Sequence, residues 1–235
     1  MSPRKKWLKF DLHIHTDRSD GKDSLRQMLK TAKRRGLDVV AVTDHNIPNS
    51  FNTKRASEKY GIYVIPGCEL SLLSGHLLIL GMDPKLIEKE LKKHHIKGKT
   101  CSVIVRKETT RKMLKYFVDN GALIIAAHPK IPSGMMSMKG NFLRELYQKG
   151  LVHGMEIHNN SIEGKFKRRL YYVWHHLAKN FAIKFKIPIY SDSDAHTKKQ
   201  IGSRFNMVKL DDPTKLLEIL KKGKIEITHG TMSDL

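Results

Sequence analysis

His13 and His15 stand two residues apart in the segment Lys9-Phe10-Asp11-Leu12-His13-Ile14-His15. Two imidazoles at that spacing on a strand share a face, as would Asp11. Neutral imidazoles side by side suit a divalent cation, and carboxylates would complete its shell. The bland alternative is a pair of hydrogen-bonded core histidines. The pattern recurs, which favours the metal. A short apolar run ends in Asp44 and His45, another in Glu69, a third in His128, a fourth in Glu156, and Asp194 and His196 follow a fifth. His76 begins its run instead. His158 shares a strand face with Glu156 and reads as structural. His94-His95 and His175-His176 fall in Lys-rich helical stretches and read as solvated, while His153 and His229 have no ligand context.

The elements that must position these groups are seven strand-like runs, Lys9 to His15, Asp38 to His45, Ile62 to Glu69, His76 to Gly81, Ala122 to Pro129, Gly154 to Asn159 and Ile187 to Asp192. Their length and branched residues suit buried strands. Helical stretches lie between most of them: Ser24 to Arg35, Asn52 to Tyr60, one or two helices within Pro84 to Asn120 with a break near Gly98, Asn141 to Lys149, Lys165 to Lys179 and Pro213 to Lys222. Such alternation predicts an α/β fold with a parallel sheet, closed at this length into a TIM-like barrel with its site at the C-terminal strand ends. There are no internal repeats and no glycine-rich phosphate loop.

At 235 residues the chain reads as a single domain, with 83–120 a Lys-rich helical embellishment. Lys and Arg number 44 against 23 acids, a net charge of +21. Asp83 to Lys115 holds eleven basic and four acidic residues, and Glu163 to Lys186 seven and one. That surplus favours phosphorylated metabolites or nucleic acid as partners. No apolar stretch spans a membrane, so no membrane partner is expected. Two cysteines, Cys68 and Cys101, make neither a disulfide framework nor a four-Cys zinc site, so a reducing cytoplasmic setting is expected. Cys68 reads as a packing residue. Met135, Met136 and Met138 read as packing or a rim over the site.

The stretches Asp11-Leu12-His13-Ile14-His15-Thr16 with Ser19-Asp20-Gly21, Thr43-Asp44-His45, Gly67-Cys68-Glu69, Gly75-His76-Leu77-Leu78, Ala127-His128-Pro129 and Ser193-Asp194-Ala195-His196, in that order, resemble the PHP (polymerase and histidinol phosphatase) superfamily. The resemblance covers about Phe10 to Val208. It implies a distorted (β/α)7 barrel holding two or three divalent ions, Zn, Mn or Fe. By that likeness His13, His15, Glu69 and Asp194 would hold one ion. Glu69 would bridge to a second, also held by His76 and His128. Asp20, His45 and His196 would hold a third. The Asp at position 20 departs from relatives that carry His nearby. Clustered ions stabilise both oxygens of a displacement at phosphorus and acidify water, so the implied reaction is hydrolysis of a phosphate ester. Glu69 and Asp194 would take part as catalytic ligands, and His196 would help protonate the leaving oxygen. Arg204, Arg18, Lys22 and Lys130 are the candidate phosphate grips. The expected substrate is a nucleotide or other small phosphomonoester. The alternatives are a nuclease acting on DNA or RNA, and a non-catalytic basic nucleic-acid-binding barrel.

Overall fold

The computed structural model describes residues 7–98, 103–129, 139–158, 165–223 and 226–231. Lys130, Cys101, Met135, Met136 and Met138 lie outside them, as does the side chain of His158. One nine-stranded sheet runs in the order β7-β6-β5-β4-β3-β2-β1-β8-β9. Its first strands are β1 (Trp7–Ile14), β2 (Val39–Val42), β3 (Tyr63–Leu72), β4 (Gly75–Leu80) and β5 (Leu123–Ala127). The others are β6 (Gly154–His158), β7 (Ile189–Ser191), β8 (Arg204–Lys209) and β9 (Thr228–Thr231). Contacts of β7 with β8 and β9 curl the sheet into a nearly closed barrel. Beyond β7, Ala195 continues the closure: His15 N donates to Ala195 O, and Ala195 N to His13 O.

The α/β barrel expectation holds, with two departures from parallel order. β4 runs antiparallel to both β3 and β5, because a tight turn replaces a crossover helix between β3 and β4. β8 runs antiparallel to β1 and β9. The reversal of β4 explains His76. The start of an antiparallel strand lies at the same end of the barrel as the C-termini of its parallel neighbours.

Local sequence accounts for the helices. α1 (Leu25–Arg34) starts with a capping box of Ser24 and Gln27. α2 (Thr53–Tyr60) is capped by Asn52 and stops at Gly61, whose φ of 62° is the left-handed ending glycine tolerates. The Lys-rich region divides into α3 (Pro84–Lys93) and α4 (Lys107–Asp119) on either side of Gly98. α5 (Gly140–Gln148), α6 (Lys165–Phe185) and α7 (Leu216–Lys222) complete the set.

Leu8, Phe10, Val39, Ile65, Leu78, Ile125, Tyr190 and Val208 fill the barrel interior, and Leu216 and Leu220 of α7 pack into it. A second cluster lies beneath α1 and α2, and a larger one joins β3–β6 to α3–α6. The interior below the site is thus largely apolar. Polar side chains converge at the strand ends, and deeper in the sheet the buried Asn206 of β8 accepts from Ser191 N and donates to Asp192 Oδ1.

Candidate metal centre

At β1 the strand alternation breaks. Leu8, Phe10 and Leu12 face the interior, and the ladder to β2 shifts register between Asp11 and Ile14. An irregularity of this kind re-aims side chains. The shared face expected for Asp11 with the two histidines is therefore corrected. Asp11 leaves the cluster and accepts hydrogen bonds from Ser193 N at 3.0 Å and Gly202 N at 3.1 Å. His13 and His15 are fully buried at the mouth of the barrel, their Nε2 atoms 3.1 Å apart.

With seven further side chains they form four overlapping groups, and within each group the ligand-type atoms lie within 4.8 Å of one another. These are His13, His15 and Asp194; His13, Glu69 and His128; His45, Glu69 and His76; and His15, Asp20, His45 and His196. Glu69 Oε2 lies 3.2 Å from Nε2 of both His13 and His15, and Asp194 Oδ1 3.3 and 3.2 Å from the same two atoms. Glu69 Oε1 lies 2.9 Å from His76 Nδ1 and 3.2 Å from His128 Nε2. Asp20 Oδ2 lies 3.2 Å from His196 Nε2 and 3.4 Å from His45 Nε2. Two partitions differ from those the resemblance implied: His15 also meets the Asp20 group, and His45 also meets Glu69, 2.9 Å from its Oε2.

These spacings fit a metal cage. Ligands about 2.05 Å from a tetrahedral ion sit roughly 3.3 Å from one another. Glu69 Oε2 is buried and has no partner with hydrogen-bond geometry, although three imidazole nitrogens stand within ion-pair distance of it. Glu69 is a carboxylate with one oxygen toward each set, as a bridging ligand requires.

Electrostatics points the same way. Burial opposes charge on every group, yet the carboxylates Glu156, Asp194 and Glu69 hold the His13 pKa well above its usual value. Glu69 and Asp20 push His45 up to about 10, and His128 and His196 are also raised. In return, His13 and His45 pull Glu69 down, and His13, His15 and His128 pull Asp194 down. The raised pKa values of His13, His45, His128 and His196 favour their protonated forms beside these carboxylates. Cations would replace those protons.

Supporting groups orient the ligands. His13 Nδ1 donates to Glu156 Oε1 at 2.8 Å, which leaves Nε2 as the lone-pair nitrogen. The other oxygen of Glu156 accepts from His128 N at 2.9 Å. His196 Nδ1 donates to Asp194 O at 3.0 Å, which frees its Nε2 in the same way. Asp44 accepts from Thr16 N, Thr16 Oγ1 and Ser19 Oγ at 2.7–2.8 Å and so clamps the loop that carries Asp20. Sequence reading placed Glu156 and Asp44 at strand ends without these roles. Their signal was acidity at a strand end, which does not separate a ligand from its support. His128 (φ 31°), Asp194 (φ 49°) and Asn46 (φ 50°) adopt left-handed backbone at the same mouth, a costly conformation that sharp strand-end turns impose.

The remaining candidates fall elsewhere. Arg18 and Lys22 sit in the loop between β1 and α1 that carries Asp20. Arg204 opens β8 opposite Thr231, and its charge acts on His175 of α6. Among the described residues no hydrogen bond or ion pair joins Arg204 to the cluster. His94 pairs with Glu90 at 2.9 Å, His153 accepts from Ile124 N at 3.0 Å, and His229 meets Asn206. Cys68 is fully buried, and burial, with Glu69 and Asp44, raises its thiol pKa, as befits a packing residue.

The fold and site define a barrel whose strand ends bring nine metal-capable side chains together. The chain belongs to the PHP family: residues 11–182 match the PHP domain and 173–225 the PHP-associated region. It is 31% identical over 140 residues to an uncharacterized protein of Methanocaldococcus jannaschii, covering 53% of this chain and 70% of that one. Over 80 residues it is 34% identical to the phosphoribosyl 1,2-cyclic phosphate 1,2-diphosphodiesterase of Eggerthella lenta, covering 31% of this chain and 30% of that one. In fold it resembles a two-domain protein of Bacteroides vulgatus containing a predicted PHP-like metal-dependent phosphoesterase. There the TM-score is 0.66 and the identity 19%, over 95% of this chain and 65% of the other. The chain thus spans only part of each of these relatives. Among the described residues no helix is long and apolar enough to cross a membrane.

Proposed function

We propose that the protein hydrolyses a small phosphomonoester, with two or three divalent ions, Zn, Mn or Fe, held by the nine-residue cluster. The observation that carries this reading is the overlap of the ligand groups through Glu69, His13, His15 and His45. Overlap places cations close together, and such ions supply charge neutralisation at phosphorus and nucleophilic water at neutral pH.

His13, His15, Glu69 and Asp194 would hold the first ion, Glu69, His76 and His128 the second, and Asp20, His45 and His196 the third. The chain's own contribution is positional. Glu156 fixes the His13 ring, Asp44 fixes the Asp20 loop, and the apolar interior below excludes water from one side. Proton delivery to the leaving oxygen would fall to His196 at the half-buried rim when the third ion is not bound there, with Asp20 Oδ2 3.2 Å from its Nε2. Arg18 and Lys22, in the same loop, supply cationic charge beside the phosphate.

The test is a panel of phosphomonoesters, DNA and RNA with Mn²⁺ or Zn²⁺, using His13→Ala as control. Metal-dependent phosphate release that falls at least a hundredfold in the variant is expected. Equal activity in both proteins would remove the reading. Nuclease activity is the second reading, and the +21 charge favours it. Cleavage of nucleic acid without release of phosphate from monoesters would select it.

A further inference from the structure

β7 and β8 lie side by side where the sheet closes, yet among the described residues no ladder of backbone hydrogen bonds joins them. A side chain takes the place of the ladder. Asn206 of β8 is fully buried, and its Oδ1 accepts from Ser191 N of β7 at 2.7 Å. Its Nδ2 donates to Asp192 Oδ1 at 2.9 Å. The same Asp192 oxygen accepts from Leu12 N of β1 at 2.7 Å. The ladder of β1 with β8 ends at the pair of Phe10 and Asn206, so Asp192 takes up β1 beyond it. One amide thus ties three strands together, and the bonds it organises reach Leu12, next to His13, and Asp192, two residues before Asp194.

Chemistry sets the orientation of that amide. Ser191 N–H can only donate, so Asn206 Oδ1 faces it. His229 of β9 meets the same oxygen through its Nδ1 at 3.1 Å, so Nδ1 carries the proton. Burial, with the charge of Lys179, pushes the His229 pKa down to about 4, which keeps the ring neutral. Asn206 and His229 also face each other in the β8–β9 ladder. A buried hydrogen-bond network of this kind specifies one geometry. Here it specifies the turn after β7, which carries Asp194 in left-handed backbone (φ 49°). Such a conformation persists only where its surroundings hold it.

We infer that His229, Asn206 and Asp192 form a positioning relay, through which the seating of β9 on β8 sets the places of the metal ligands Asp194 and His13. The inference rests on the metal-centre reading and adds to it three residues outside the nine-residue cluster. His229, which has no ligand context in the sequence, acquires a role as the outer end of the relay. Supports of this kind typically change ion affinity by about ten- to a hundredfold when they are removed.

Cobalt(II) binding by the full chain tests this, with affinity from calorimetry and ligand geometry from the visible absorption of the bound ion. Asn206→Ala is expected to weaken cobalt binding about tenfold or more and to change the spectrum. His229→Ala should weaken it about threefold, the effect of one hydrogen bond. His229→Asn, whose amide N–H can stand in for Nδ1–H, should restore most of that loss. Affinity and spectrum unmoved in both alanine variants overturn the inference even where thermal unfolding shows lower stability, because the network would then support the fold alone. A loss in Asn206→Ala alone, or no recovery in His229→Asn, overturns the place of β9 in the relay. If Asn206→Ala does not fold by circular dichroism, His229→Ala and His229→Asn carry the test. An unmodified protein that binds no cobalt would instead defeat the metal-centre reading.

Discussion

At the scale of single residues, the carboxylates divide by what they touch. Glu69 and Asp194 face imidazoles. Asp11, equally buried, faces backbone N–H groups of Ser193, Gly202 and His13. Burial raises its pKa to about 6 although those donors oppose it. Asp11→Asn would turn an amide NH₂ toward backbone donors, so it should cost about 1–3 kcal/mol of stability. Thermal unfolding should report that loss while the ion content stays unchanged; a loss of ions with no change in stability would make Asp11 a ligand. The histidines carry a pH prediction. A coordinating imidazole must give up its proton, and the pKa of His45 is pushed up to about 10, with His13, His128 and His196 raised as well. Apparent affinity for Zn²⁺ should therefore climb with pH between 6 and 8, about tenfold or more per unit. Chelator competition measures it, and an affinity flat across that range would show that the imidazoles do not bind the ion.

At the scale of elements, the loop after β1 makes the sharpest demand. A Cβ on Gly21 would lie 2.8 Å from the backbone C and O of Thr16 and 2.9 Å from His15 C. Backbone cannot step aside as a side-chain tip can. Gly21→Ala should open the loop, move Asp20 away from His45 and His196, and lower the ion count by about one per chain. Metal analysis of the purified variant checks this, and full ion content would separate Asp20 from the third ion. Sequence placed these elements well. The capping box at Ser24 and the stop at Gly61 fell where capping chemistry predicts them. Two signals were not local. The reversal of β4 depends on the turn after β3 and on pairing with β5, 43 residues or more beyond β4 in no sequence pattern of its own. β8 and β9 went unread because Arg204, Asn206 and Lys209 interrupt any apolar run in the first, and Thr228-His229-Gly230-Thr231 contains none in the second. The break in alternation at β1 was also invisible, since a bulge is defined by its partner strand.

At the scale of the whole molecule, the net charge of +21 acts at long range. If the substrate is nucleic acid, log affinity should fall steeply with log salt, with a slope growing by about 0.7–0.9 for each phosphate neutralised. A small phosphomonoester should give a shallow slope. Measuring KM for both substrate types between 50 and 200 mM salt separates the two, and a shallow slope with nucleic acid counts against the nuclease reading. The sequence by itself determined the α/β alternation, the basic surface and the inventory of histidines and acids, because each is written in residue type and local spacing. Tertiary structure alone decided which of those groups meet. Side chains 181 residues apart, His13 and Asp194, come within 3.3 Å only because Ala195 pairs beside β1 and the sheet curls on itself. Closure is a property of all nine strands together, and no one segment encodes it.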